Sequence, residues 1–94
     1  MRIAVVIGAL SGGGAEHFTA TFVNELYKRE GAIPYLITAE KKEDEYYVND
    51  LINRVCILDD NRNFIKDANM IKKYANSNHI DYVIGIGIYA NICV

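Results

Sequence analysis

Apolar residues are concentrated along this chain in four short runs, and each run has the length of a strand. The runs cover residues 3–7, 33–38, 54–58 and 81–88. Several of their residues are β-branched, which is typical of strands buried on both faces of a parallel sheet. Pro34, the only proline, stands near the start of the second run, where a missing N–H does least harm. The pattern therefore predicts four strands, of which the first is buried.

Between these runs the apolar residues return with the period of an α-helix. Over residues 15–29 they share one predicted buried face, which consists of Ala15, Phe18, Thr19, Phe22, Val23 and Leu26. Gly31 follows and is predicted to end this helix. A second helix is predicted over residues 64–76, with a buried stripe that consists of Phe64, Ala68, Ile71 and Ala75. Residues 89–94 have the pattern of the opening of a further helix.

The segments between these elements are mostly polar. Residues 41–45 form a run of charges, which indicates a solvated loop. Residues 46–48 are expected to fold back over the edge of the sheet. Asp59 and Asp60 lie in a polar stretch that supplies turn and N-cap residues for the second helix.

The order of the predicted elements is β-α-β-β-α-β, which indicates a mainly parallel sheet. Because crossovers are right-handed in nearly all proteins, we expect a Rossmann-like α/β domain with strand order 3-2-1-4 and helices on both faces. In this order the connections of the first and fourth strands leave toward opposite faces. Sheets of this kind bind ligands at such a point. A crevice is therefore predicted between residues 11–16 and residues 89–91.

The loop between the first strand and the first helix carries the strongest chemical signal in the chain. Gly12, Gly13 and Gly14 stand directly before the helix. Glycine lets another molecule approach the backbone closely, and the first N–H groups of a helix carry a partial positive charge. A loose turn without a ligand is the alternative interpretation. We favour a ligand site for a phosphate or another anion, an arrangement that several nucleotide- and sugar-handling families share.

Further candidates surround these glycines. Ser11 and Ala15 flank them, and Glu16 is expected to cap free N–H groups and to oppose the helix dipole. His17 is either a surface histidine or a hydrogen-bond donor to the ligand. Tyr89 and Asn91 follow the fourth strand, so they belong to the opposite wall of the predicted crevice.

Other chemical signals are weak. Helix capping explains Asp59 and Asp60 better than a metal site does, and His79 is expected to be structural. Cys56 and Cys93 are interpreted as small buried apolar residues. The sequence has no Walker lysine and no Cys-x-x-Cys pair, which removes support for two common classes of enzyme.

Composition and charge limit the possible partners. The chain has 94 residues and a net charge of −2, which favours one domain and gives no reason to expect nucleic acid. With two cysteines, a reducing cytoplasm is the simpler setting. No apolar stretch reaches the length of about 18 residues that marks a membrane span. The start superficially imitates a signal peptide, but no convincing cleavage site follows.

Residues 10–16, with the sequence LSGGGAE, resemble the start of bacterial family-four retaining glycosyltransferases. These enzymes consist of two Rossmann-like domains with a cleft between them, the GT-B fold. They typically open with an apolar strand, a turn of small residues and Gly-Gly-x-Glu. Three further segments are similar to that family. Its first helix ends like residues 26–31, its second strand is similar to residues 33–38, and its fourth strand with the following turn is similar to residues 81–92. The position after Glu16 is often arginine in the family, and here it is His17.

The resemblance implies a function for the whole enzyme. The family transfers a sugar from a nucleotide-sugar to a glycan or lipid-linked acceptor, with retention of configuration and without a metal. Its N-terminal domain mainly holds the acceptor, and a glycine-rich loop like residues 12–14 faces the cleft. This chain matches only the first part of that domain, so we expect it to be inactive alone. The parent enzyme would be cytoplasmic, peripheral at the inner face of the membrane.

Two alternatives remain open. The spacing Gly8-x-x-x-Gly12-x-Gly14, with Glu40 just past the second strand, also fits the nucleotide-binding part of a short-chain NAD(P)-dependent oxidoreductase. However, the chain has no Tyr-x-x-x-Lys pair. The other alternative is a non-enzymatic module that self-associates through residues 82–88, because a long apolar edge strand favours pairing with another chain.

Overall fold

The computed structural model describes residues 1–39, 43–58 and 64–87. Every predicted strand and helix within these ranges is present. Most of their first and last residues lie within one or two positions of the predicted bounds. The fourth strand is the exception, because it ends before the run of apolar residues does. The elements are β1 (Arg2–Val6), α1 (Gly14–Lys28), β2 (Ile33–Thr38), β3 (Asn53–Cys56), α2 (Phe64–Ser77) and β4 (Tyr82–Gly85).

The four strands form one sheet in the order β3-β2-β1-β4, and every neighbouring pair is parallel. This confirms the predicted Rossmann-like α/β arrangement. The sheet tolerates Pro34, which has no N–H to donate. Alternate residues of a strand bond to opposite neighbours, and Ile33 N donates to Met1 O beside β1 at 2.8 Å. The backbone of Pro34 therefore faces β3. On that side β3 begins only opposite Tyr35, and no ladder hydrogen bond is lost.

Successive residues of the central strands alternate between two apolar clusters, one on each face of the sheet. On one face, Val5 and Leu36 pack with Val23 of α1. On the other face, Ala4 and Ile37 belong to a cluster that includes Ile71 of α2. Helices therefore cover both faces. This explains why the strands read as continuous apolar runs and not as an alternating pattern.

The buried face of α1 is rotated relative to the prediction. Thr19, Ala20 and Val23 are buried, whereas Ala15 is exposed and Phe18 is 57% exposed. Thr19 and Ala20 are small, so they let the helix backbone approach the sheet closely. The Thr19 hydroxyl donates to Ala15 O at 2.8 Å, which satisfies its polar group in the core.

In α2, Ile71 is buried as predicted, and Ala68 and Ala75 are half-buried. The side chain of Phe64 lies outside the described part of the chain. Asp67 is fully buried, which the pattern of apolar residues did not predict.

His79 ends α2 with a positive φ of 54°, in the left-handed region that glycine usually occupies. His79 N donates to Asn76 O, and Ile80 N donates to Ala75 O at 2.9 Å. These two bonds form a Schellman motif. The expected structural role of His79 is therefore the C-terminal cap of this helix.

Candidate functional site

The glycine-rich loop leaves the carboxyl end of β1 beside β4. Ile86 N donates to Val6 O at 2.8 Å, so the β4 chain is still paired with β1 where this loop begins. α1, which follows β1, and α2, which precedes β4, pack on opposite faces of the sheet. This is the geometry of a topological switch point, where open α/β sheets bind ligands.

The three glycines do different things in this loop. Gly12 has a φ of 106°, a backbone conformation that requires glycine. Gly13 is the N-cap of α1, and Gly14 is its first residue. A Cβ added at Gly12 or Gly14 would meet no atom within 4 Å, so the space above the loop is open. The loop can therefore be approached closely from outside.

The N-terminus of α1 combines free backbone donors with one acidic side chain. Gly13 provides no side-chain cap, so the first N–H groups of the helix have no partner from that residue. Glu16 lies in the first turn and is half-buried. A Cβ added at Gly13 would lie 3.4 Å from Oε2 of Glu16. The carboxylate therefore lies beside the helix terminus, where it opposes the dipole as expected.

Tyr46 is the neighbour of this loop that sequence reasoning missed. Its hydroxyl donates to Gly12 O at 2.5 Å, and its backbone N–H donates to Leu10 O at 3.0 Å. The rings of Tyr46 and His17 have their centroids 4.9 Å apart. Residues 46–48 do fold back, but Tyr46 contacts the side of the glycine-rich loop and not the edge of the sheet. Gly12 and Tyr46 are 34 residues apart, so no local pattern indicated the contact.

The charged run before Tyr46 is only partly a solvated loop. Glu43 and Asp44 are exposed, as predicted. Glu45 is different, because its carboxylate accepts two hydrogen bonds of 2.7 Å from the Arg54 guanidinium. This hydrogen bonding raises the pKa of Arg54. Arg54 also donates to Thr38 Oγ1 at 3.1 Å, which ties the segment to the sheet.

The structure brings the first predicted wall of the crevice together. These residues are contiguous between β1 and the first turn of α1: Ser11 and Glu16 are half-buried, and the others are exposed. They comprise Ser11, Gly12, Gly13, Gly14, Ala15, Glu16 and His17. The predicted opposite wall, Tyr89 and Asn91, lies outside the described residues, as does the predicted helix over 89–94.

Several other predictions also fall outside the described residues, namely those on Asp59, Asp60, Cys93 and Glu40. The prediction for Cys56 was wrong, because this cysteine is exposed. Cys56 ends the edge strand β3, where only one neighbouring strand shields it. Its Sγ lies 3.5 Å from Thr38 Oγ1.

Two grooves lie away from the glycine-rich loop. One, of about 390 Å³, lies between α1 and residues 47–49. The other, of about 420 Å³, lies between α2 and Val83 of β4. Within the described ranges, no three His, Cys, Asp or Glu residues are grouped to hold a metal ion. Nor does any helix there have the length and apolar character to cross a membrane.

No protein-family model matches this chain, and neither a curated protein nor a solved structure shows significant similarity to it.

Proposed function

We propose that this chain is the acceptor-side, N-terminal part of a retaining glycosyltransferase of the family-four type. The parent enzyme moves a sugar from a nucleotide-sugar to a glycan or lipid-linked acceptor in the cytoplasm, at the inner face of the membrane. The observation that carries the proposal is the open loop over Gly12–Gly14 at the switch point between β1 and β4. The reaction takes the nucleotide-sugar as co-substrate and needs no cofactor.

The polar groups beside the loop favour a ligand that offers hydroxyl groups. Glu16 places a carboxylate next to Gly13, and this negative charge opposes the approach of a bare phosphate. A carboxylate accepts hydrogen bonds from sugar hydroxyls, and the exposed imidazole of His17 can donate or accept one. The free N–H groups at the start of α1 remain available to a more distant anionic group. This supports the acceptor side of a sugar-transfer cleft.

The proposal is tested by titrating the isotope-labelled chain with UDP-glucose, and separately with a simple glucoside as acceptor probe, by NMR. We expect the amide signals of residues 12–17 to shift with these sugars and not with NADH. A shift with NADH alone would favour the oxidoreductase. No shift with any probe counts against a ligand site. Sugar transfer to the glucoside by the isolated chain would contradict its proposed inactivity.

Gly14→Val provides a sharp variant for this titration. A side chain there meets no protein atom within 4 Å, so it fills the space above the loop while the protein stays folded. The variant should lose the shifts. Thr21→Val, on an exposed position of the same helix, is the matched control and should keep them.

We also propose that β4 pairs with β4 of a second copy of this chain. Ile86 N donates to Val6 O, so by alternation the backbone groups of Val83 and Gly85 face away from β1. The side chains of Tyr82 and Ile84 are 58% and 37% exposed. β4 carries no charged residue, so two antiparallel copies meet without like-charge repulsion. At the opposite edge of the described sheet, β3 carries Arg54.

Light scattering across a concentration series tests this pairing. The chain should dimerise, and Ile84→Lys should shift it to a monomer because lysine on an edge strand prevents pairing. Ile65→Lys, at a 77% exposed position of α2, is the control and should still dimerise. A monomeric parent chain, or equal effects of the two substitutions, would overturn the proposal.

A further inference from the structure

Residues 45–49 form a short connection, here called the strap, that joins the β3 edge of the sheet to α1. At one end Glu45 is bonded to Arg54 of β3. At the other end the Asn24 side chain donates to Tyr47 O and accepts from Asn49 N, both at 2.9 Å. The strap is therefore held at both ends by side chains that belong to the folded core elements. Between these anchors lies Tyr46.

Tyr46 makes two hydrogen bonds to the glycine-rich loop, one on either side of Ser11. Its amide donates to Leu10 O, and its phenol donates to Gly12 O. The loop therefore receives both a backbone and a side-chain donor from the same strap residue. His17, at the far end of the loop, contacts the ring of Tyr46.

The loop needs such external support because its own sequence provides little. Glycine has the largest conformational entropy in the unfolded chain, and three adjacent glycines leave many orientations open. Gly13 has no side chain with which to cap α1. The bond from Tyr46 holds the carbonyl of Gly12, and that carbonyl belongs to the same peptide plane as Gly13 N–H.

We propose that Tyr46 is the positioning residue of the glycine-rich loop. Its hydroxyl orients the peptide between Gly12 and Gly13, so that the first N–H groups of α1 face the ligand before it arrives. A pre-ordered loop binds more tightly because the ordering cost is already met. As far as it concerns a ligand, the inference rests on the sugar-transfer site proposed above.

Loop order is measured first, without ligand. Backbone order parameters are recorded for residues 12–14 in the parent chain, Tyr46→Phe and Tyr47→Phe. Tyr46→Phe removes only the phenol oxygen, and we expect the order parameters to fall from about 0.85 toward 0.6 or below. Tyr47 makes its contact to Asn24 through its backbone carbonyl, so Tyr47→Phe should leave the loop unchanged. Unchanged order in Tyr46→Phe would overturn the inference.

Affinity for UDP-glucose is measured next, well below the melting temperature of every variant. Loss of one hydrogen bond predicts binding about fivefold weaker for Tyr46→Phe. A purely structural role would lower the melting temperature and leave the affinity of the folded protein unchanged, which would contradict the positioning role. If Tyr46→Phe loosens the loop and no variant binds UDP-glucose, the order effect stands and the proposed sugar-transfer site fails. If the parent chain binds and Tyr46→Phe equals it in order and affinity, only the positioning role fails.

Discussion

Arg54 and Glu45 form a two-bond ion pair that joins β3 to the strap, and their side chains are only 16% and 6% exposed. Both N–O distances are 2.7 Å, which is typical of a bidentate guanidinium–carboxylate pair. Glu45 lies in what the sequence presents as a solvated run of charges. The ion pair therefore changes the expected effect of mutations in that run.

Glu45→Gln should destabilise the fold more than a substitution in an exposed loop usually does. The amide keeps the shape of the side chain but leaves the Arg54 guanidinium without its carboxylate. Removal of one partner from a buried pair costs about 3 kcal/mol. Urea unfolding measures the change, with Glu43→Gln as the exposed control, for which we expect less than about 0.5 kcal/mol. Equal effects of the two substitutions would show that the ion pair contributes nothing.

His79→Gly should stabilise the protein. His79 holds a left-handed conformation that costs a residue with a Cβ about 1 kcal/mol, and glycine avoids this cost at the end of a helix. Lys73→Gly, at an exposed position within α2, should instead destabilise by about 1 kcal/mol. The two melting temperatures should therefore move in opposite directions. A lower melting temperature for His79→Gly would contradict the capping role.

Gly12 and Gly14 should respond differently to alanine. At Gly12 the φ of 106° makes Gly12→Ala unfavourable by at least about 1 kcal/mol. At Gly14, the first helical residue, alanine lowers the entropy of the unfolded chain and adds about 0.5 kcal/mol of stability. Thermal unfolding of both variants checks this. If Gly12→Ala were neutral, the loop would not depend on the left-handed backbone.

The protein should lose stability in alkaline solution because the phenol of Tyr74 is partly buried. Burial, followed by the effect of Tyr35, raises the pKa of Tyr74 above its ordinary value of 10.0. The folded protein therefore keeps the phenol proton at a pH where the unfolded chain has lost it. Its contribution to stability is complete below pH about 10 and is lost as the pH rises through the folded pKa.

Tyr74→Phe removes this titrating group. The urea midpoint of the parent chain should fall further between pH 8 and pH 10.5 than that of Tyr74→Phe. Tyr47→Phe, which removes a hydroxyl from a 73% exposed side chain, should behave like the parent chain. An equal alkaline loss in all three proteins would assign it to other groups.

The strands and their order were predictable because the signals are local and strong. Residues 33–38 form β2 with the bounds that their apolar run predicts. The right-handed crossover then leaves few topologies for such an order of elements. By contrast, the buried face of α1 was predicted in the wrong rotation, with the exposed Ala15 and Phe18 placed inside. Periodicity shows that a helix has an apolar side, but close packing on the sheet selects the small residues of that side.

The candidate site divides in the same way. The glycine-rich loop is visible in the sequence because its three glycines are adjacent and precede a helix. Tyr46 is not, since its partner Gly12 lies 34 residues away. Likewise, the sequence shows Glu45 only as one charge in a polar run, and its ion pair with Arg54 forms only in the folded chain. Contacts of this kind arise only when separate elements pack together.

The sequence by itself therefore determined the elements, the parallel sheet and the position of the glycine-rich loop at the end of β1. Hydrophobic period and backbone sterics act over a few residues, so they can be read along the chain. Only the tertiary structure decided which side of α1 faces the sheet, that Cys56 is exposed and that Tyr46 holds Gly12. These outcomes depend on distances between residues far apart in sequence, which are set when the strap and the helices pack on the sheet.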